Sequence, residues 1–189
     1  MSPSAVYPAP TPADVCESQQ YTRLTYLPIL LKTLSKAMIE WPLFRSSITP
    51  SSSDTSKPTL TIRPQADISI ALSTHTGLYT PTLQSVNTQS IYSLSAQLKH
   101  LSHLGRQNPC GLTSKEMPKR GGTLTVSNVG AIGAGDFASP VLVPGGGVAI
   151  VAIGRVKWFW DVLDRGDGRG ERRLKVGISS SGDHRFGRR

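Results

Sequence analysis

Acidic side chains are scarce. The 189 residues hold 12 Asp and Glu against 21 Lys and Arg, a net charge of +9. Charged residues of both signs reach only 17%, too few for the solvated faces of a long coiled coil. Long apolar runs are missing too. Leu27 to Leu31 and Val148 to Ile153 both fall far short of the ~20 residues of a membrane-spanning helix, so no membrane is expected. Only two cysteines occur, Cys16 and Cys110, far apart in the chain and outside any CxxC pair. They support neither a disulfide framework nor a zinc site, and a reducing compartment is the default. The first 22 residues lack the continuous apolar stretch of a secretory signal and show no clear mitochondrial presequence. Gly (18) and Pro (14) are plentiful but follow no Gly-X-Y period, which excludes collagen.

What is present suffices for one folded domain. Hydrophobic residues make up 38% of the chain, enough for a core at this length. Residues 1–22 are rich in Pro, Ser and Ala and read as a flexible lead-in. Leu24, Leu27, Leu31, Leu34 and Met38 recur at helical spacing and predict a helix over Arg23 to Trp41, ended by Pro42. Phe44 to Thr49 predicts a strand, and Ser51 to Lys57 a polar loop. Thr59 to Arg63, Asp67 to Leu72 and Gly77 to Leu83 predict further extended pieces, with Ile68, Ile70 and Leu72 on one face. Ser90 to Leu104 predicts a second helix, with Ile91, Leu94, Leu98 and Leu101 inward and Gly105 as its stop.

Thr113 to Glu116 has the spacing of a capping box. Gly121-Gly122 opens a strand over Thr123 to Ser127, and Val148 to Ile153 reads as a central strand. Arg155 to Leu163, a Gly/Asp turn and Leu174 to Ser180 predict a hairpin. The mixture lacks the regular alternation of a doubly wound sheet.

Few segments suggest chemistry by themselves. Gly130, Gly133 and Gly135 are spaced as G-x-x-G-x-G, which is neither a dinucleotide fingerprint nor a phosphate loop, and predict a tight turn. His100 and His103 have no further metal ligands nearby, so no metal is expected. Residues 155–189 carry ten Lys and Arg against five Asp and Glu, a patch that attracts polyanions. No aromatic stacking series interleaves it, so nucleic acid is not an expected partner. His184 stands between Asp183 and Arg185, where a neutral imidazole can take a proton near pH 7. Ser127 closes a strand, where a fixed hydroxyl can donate to a developing oxyanion.

Read in order, several pieces carry more. They are Leu24-Thr25-Tyr26-Leu27-Pro28, Gly77-Leu78-Tyr79-Thr80-Pro81, and Gly121-Gly122-Thr123-Leu124-Thr125-Val126-Ser127-Asn128-Val129-Gly130. Pro140-Val141-Leu142-Val143-Pro144, Val148-Ala149-Ile150 and Asp183-His184-Arg185 follow. Over about residues 23–185 the chain resembles the catalytic domain of the dihydrolipoamide acyltransferases of 2-oxo acid dehydrogenase complexes. Ser90 to Gly105 and Phe137 to Pro140 look most like the branched-chain type.

The resemblance implies an α+β fold like that of chloramphenicol acetyltransferase: a two-layer sandwich of a mixed β-sheet and flanking helices. It implies homo- or hetero-trimers within a larger core, with active sites between subunits. The implied partners are coenzyme A or acyl-CoA and a lipoyl domain, the lipoyl group coming from another chain. The implied place of work is the mitochondrial matrix. By position match His184 is the base and Ser127 the oxyanion donor, and Ser35, Asn128, Gly154 and Val156 line the coenzyme A path.

The sequence departs from the family pattern at its end. Arg188 and Arg189 stand where the family carries Asp-Gly, and the family's final segment does not follow. The expectation is a catalytic domain over 23–186, truncated at both ends, with a basic tail over 187–189 and impaired turnover. The alternative is a non-catalytic core or scaffold subunit.

Overall fold

The computed structural model describes residues 15–21, 23–49, 59–132, 147–162 and 170–182. Outside them lie the predicted loop at Ser51 to Lys57, Gly133, Gly135, the Pro140 to Pro144 piece, the turn between the hairpin strands, and Asp183 to Arg189. The described residues form two compact units. One holds those up to Thr125 together with Gly147 and Val148, and the other holds Val126 to Ile132 and those from Ala149 onward.

In the first unit, helix α1 spans Tyr26–Glu40. Pro28 sits in its first turn, where its missing N–H would have had no helical partner anyway. Trp41 N closes the last turn on Ala37 O at 2.9 Å, and Pro42 cannot continue it. Of the predicted series Leu31 and Met38 are buried, joined by Pro28 and Ser35, while Leu24, Leu27 and Leu34 are half-buried. Ser35 can lie inside because its hydroxyl donates to Lys32 O at 2.7 Å. Lys32 in turn reaches out of the helix. Its Nζ donates to Asn87 O at 2.7 Å and Gln89 O at 2.6 Å, which ties α1 to the loop before the second helix.

A 3-10 turn, Pro42–Arg45, leads into strand β1, Ser46–Thr49, which pairs antiparallel with β2, Thr59–Ile62. Arg45 is buried, and its guanidinium donates to Met38 O, Arg63 O and Pro64 O. The predicted strand from Phe44 therefore starts two residues late, because this turn comes first.

β3 spans Ile68–Thr74, β4 Gly77–Tyr79 and β5 Thr82–Leu83. β4 and β5 pair with β3 in one continuous register, Leu72 with Tyr79 and Ile68 with Leu83. They are a single return strand interrupted at Pro81. Ile70 N still donates to Pro81 O at 2.8 Å, but Pro81 has no N–H to give back. Ser69 is buried beside Ile68 and Ile70, so the simple in–out alternation fails here. Its hydroxyl is satisfied by Thr82 Oγ1 at 3.0 Å and by Gly122 N at 2.8 Å.

Helix α2 spans Ile91–Arg106. Ser90 caps it, its Oγ accepting from Ser93 N at 3.1 Å. His103 and Arg106 lie in its last turn, where positive charge suits the helix dipole. Gly105 does not stop the helix. It is buried within it, and a Cβ there would stand 2.7 Å from Leu72 Cδ2. The glycine serves close packing on β3, not termination. Before α2, the 3-10 turn Glu17–Gln19 packs on it, with Ser18 Oγ 3.0 Å from His100 Nδ1.

The capping-box spacing at Thr113 and Glu116 forms only the carboxylate half of the box, and without a helix, since Glu116 N donates to Thr113 O rather than to its hydroxyl. Glu116 Oε2 accepts from Thr113 N at 2.9 Å and Thr113 Oγ1 at 2.6 Å around a single turn. Burial raises the Glu116 carboxyl pKa, but these two bonds, with Lys115 alongside, outweigh it and hold the pKa below its ordinary value. Among the described residues no helix is long and apolar enough to cross a membrane.

β6, Leu124–Asn128, carries the chain into the second unit. There β7, Ala149–Val162, and β8, Gly170–Gly182, form a long antiparallel hairpin. The sequence reading splits β7 at Gly154. The structure keeps it whole and absorbs Gly154 in a bulge. Ala149, Ile150, Ala152 and Ile153 supply buried apolar side chains in this unit, with Val126 of β6.

Candidate functional site

Ser127 and Asn128 are the last two residues of β6, and both are half-buried. β6 buries Leu124 and Val126, and Ser127 follows on the alternate face of the strand. Among the described residues the Ser127 hydroxyl spends no hydrogen bond on a neighbour, so it remains available as a donor.

The chain then turns at once. Val129–Ile132 is a single 3-10 turn, consistent with the tight turn predicted for the glycine-rich stretch. Within it Gly130 meets β7 backbone to backbone. A Cβ on Gly130 would stand 2.6 Å from Gly154 O, 2.7 Å from Gly154 C and 2.8 Å from Arg155 N. Nothing larger than glycine fits without moving main chain.

Gly154 and Arg155 are themselves irregular. In the β7–β8 ladder Ile153 pairs with Ile178 and Val156 with Val176, so two residues of β7 face the single Gly177 of β8. This is a β-bulge, which bends a strand and re-aims the side chains beside it. Gly154 is buried, whereas Arg155 and Val156 are exposed. Past the bulge the register resumes with Lys157 opposite Lys175 and Trp158 opposite Leu174.

Four of the six residues singled out from the sequence thus fall in this unit's described part: Ser127, Asn128, Gly154 and Val156. Ser35 belongs to the first unit and has no exposed surface. His184 lies outside the described residues, two positions beyond the end of β8. The site feature that sequence reasoning missed is the Gly130–Gly154 contact with its bulge. The signal was present, because Gly154 interrupts an otherwise continuous β-pattern without any turn residue after it. No group of three His, Cys, Asp or Glu suited to a metal occurs among the described residues.

Comparison with known proteins places the chain. The family described as 2-oxoacid dehydrogenases acyltransferase (catalytic domain) matches residues 13–187. The lipoamide acyltransferase component of the mitochondrial branched-chain alpha-keto acid dehydrogenase complex of Mus musculus is 32% identical over 165 residues, 86% of this chain and 31% of that protein. The chain therefore spans about a third of that relative's length. The dihydrolipoamide acetyltransferase of Azotobacter vinelandii superposes with a TM-score of 0.71 at 30% identity, covering 86% of this chain and 61% of that one. The cubic core of a pyruvate dehydrogenase multienzyme complex gives the same TM-score at 29% identity, again over 86% of this chain and 61% of that one. These likenesses carry the α+β, chloramphenicol-acetyltransferase-like fold with them. A match over nearly the whole sequence, joined to the fold and to the position of Ser127, makes this chain a member of the 2-oxoacid dehydrogenase acyltransferase catalytic-domain family.

Proposed function

We propose that this chain transfers an acyl group between a dihydrolipoyl thiol and coenzyme A. The observation that carries the reading is Ser127. It stands at the end of β6, its hydroxyl unbonded among the described residues, inside the stretch matched to the acyltransferase family. His184 removes the proton of the attacking thiol, and the thiolate adds to the thioester carbonyl. Ser127 donates a hydrogen bond to the oxygen that becomes negative, and the departing thiolate takes the proton back from His184. Both thiols are substrates.

The residues proposed for the coenzyme A path fit unequally. Asn128 and Val156 keep surface through which a substrate can be touched, and Gly154 offers backbone at a bulge. Ser35 is buried with its hydroxyl already given to Lys32 O, which argues against its contact with the substrate. A trimer within a larger core, with sites between subunits, and residence in the mitochondrial matrix belong to the same reading. The cubic-core structure and the mitochondrial relative support them.

The test is an exchange assay between acyl-dihydrolipoamide and coenzyme A. The wild-type chain should exceed background, His184→Ala should fall to background, and Ser127→Ala should lose ~10²–10³-fold in turnover. Equal background rates in all three would remove catalysis and leave a non-catalytic core subunit.

A further inference from the structure

We propose that Gly130 is a positioning residue for the transfer reaction, setting where Ser127 presents its hydroxyl by meeting the Gly154–Arg155 bulge backbone to backbone. The inference rests on the reading of Ser127 as oxyanion donor and adds a device that holds it. Three observations carry it. The three atoms nearest a Cβ on Gly130 are all main chain, so no side-chain rotation can relieve the clash. They belong to the two residues of the bulge, the one place where the β7–β8 register shifts. And Gly130 follows Ser127 by three residues, with only Asn128 and the first residue of the 3-10 turn between them.

The turn is therefore docked on a fixed irregularity of the neighbouring strand. A hydroxyl three residues upstream inherits that registration. Oxyanion donors act only when preorganised at the place where charge develops. Ordinary contact for a Cβ begins near 3.4 Å, against the 2.6 Å available. A methyl at Gly130 must then displace the turn by an amount of the order of 1 Å, enough to cost ~10²-fold when it misplaces a reacting group.

The experiment is a double-substitution cycle read by exchange kinetics. Gly130→Ala should lower kcat by ~10²-fold with KM for the dihydrolipoyl substrate near wild type. In the Ser127→Ala background the same substitution should cost far less, because the group that it misplaces is gone. A Gly130→Ala protein with wild-type kcat, or one whose loss is the same with and without Ser127, overturns the inference. A Ser127→Ala protein at the wild-type rate instead overturns the functional reading itself, so the two failures are distinct. A crystal structure of the wild-type chain checks the device without substitution. Contact between Gly130 Cα and the Gly154 backbone supports it, and a gap wide enough for a methyl group overturns it.

Discussion

Gly122, just before β6, meets Ser69 of β3 at a distance that leaves no room for a side chain. Gly122 N donates to Ser69 Oγ at 2.8 Å, and a Cβ on Gly122 would stand 2.4 Å from Ser69 N. Asp67 O lies 2.8 Å from the same point, and the next amide, Thr123 N, donates to Asp67 O at 3.1 Å. Gly122→Ala should therefore destabilise the chain by ~1–3 kcal/mol or more, the range for forced overpacking. Urea denaturation of the purified proteins measures it. A midpoint equal to wild type would mean that Gly122 lies farther from β3 than described.

Lys32 gives a second stability prediction. Its ammonium donates to three loop carbonyls, Val86 O, Asn87 O and Gln89 O, across more than fifty residues of sequence. Charge-assisted bonds of this kind contribute ~1.5–3 kcal/mol. Lys32→Met keeps most of the stem's packing and removes the donors. It should lower stability within that range, and amide exchange in the loop before α2 should rise.

The turn at Thr113 predicts a pH dependence. The folded Glu116 carboxyl has its pKa held below the ordinary 4.5. The sign follows from linkage: a depressed carboxyl stabilises the fold above its unfolded pKa, and that stabilisation is lost as pH falls through the lower folded value. Glu116→Gln should thus be less stable than wild type at neutral pH, with the difference shrinking below about pH 4.5. The side chain lies near the surface, so the effect is small. A difference that grows on acidification would contradict the hydrogen bonds to Thr113.

Cys16 and Cys110 should differ in reactivity. Cys16 is exposed, and its thiol pKa is lowered by the side chain and backbone of Ser18. Cys110 is less exposed. Iodoacetamide at neutral pH should label Cys16 first, and Ser18→Ala should slow it, because the thiolate is the reactive form. Peptide mass spectrometry reads both sites in one sample.

Much of the fold could be read along the chain, because helical spacing and strand alternation report which residues share a face. They do not report what lies opposite. Gly105 looks like a helix stop in one dimension, yet it is the last residue but one of the helix, and Leu72 packs into the space that its missing side chain leaves. Ser35 and Ser69 look like surface residues, yet each is buried with its hydroxyl satisfied by a partner that sequence does not announce. β7 reads as two strands because a bulge costs a residue of register and looks like an ending. Thr113 and Glu116 form half of the box that their spacing promises, and no helix follows.

The site was less legible than the fold. A strand-ending serine is ordinary, and only the ordered resemblance from Leu24 to Arg185 singles out Ser127. Its neighbour Gly130 was visible as a turn former, but its contact with Gly154 depends on a bulge that pairing alone reveals.

The central claim is that Ser127 and His184 serve one thioester from different subunits. Mixed oligomers test it most directly. Ser127→Ala and His184→Ala chains are assembled separately and together, and exchange between acyl-dihydrolipoamide and coenzyme A is measured in each. The account predicts that co-assembled chains recover activity that neither variant has alone, since some interfaces then pair an intact Ser127 with an intact His184. Co-assembled protein that is no more active than the two variants apart would contradict it.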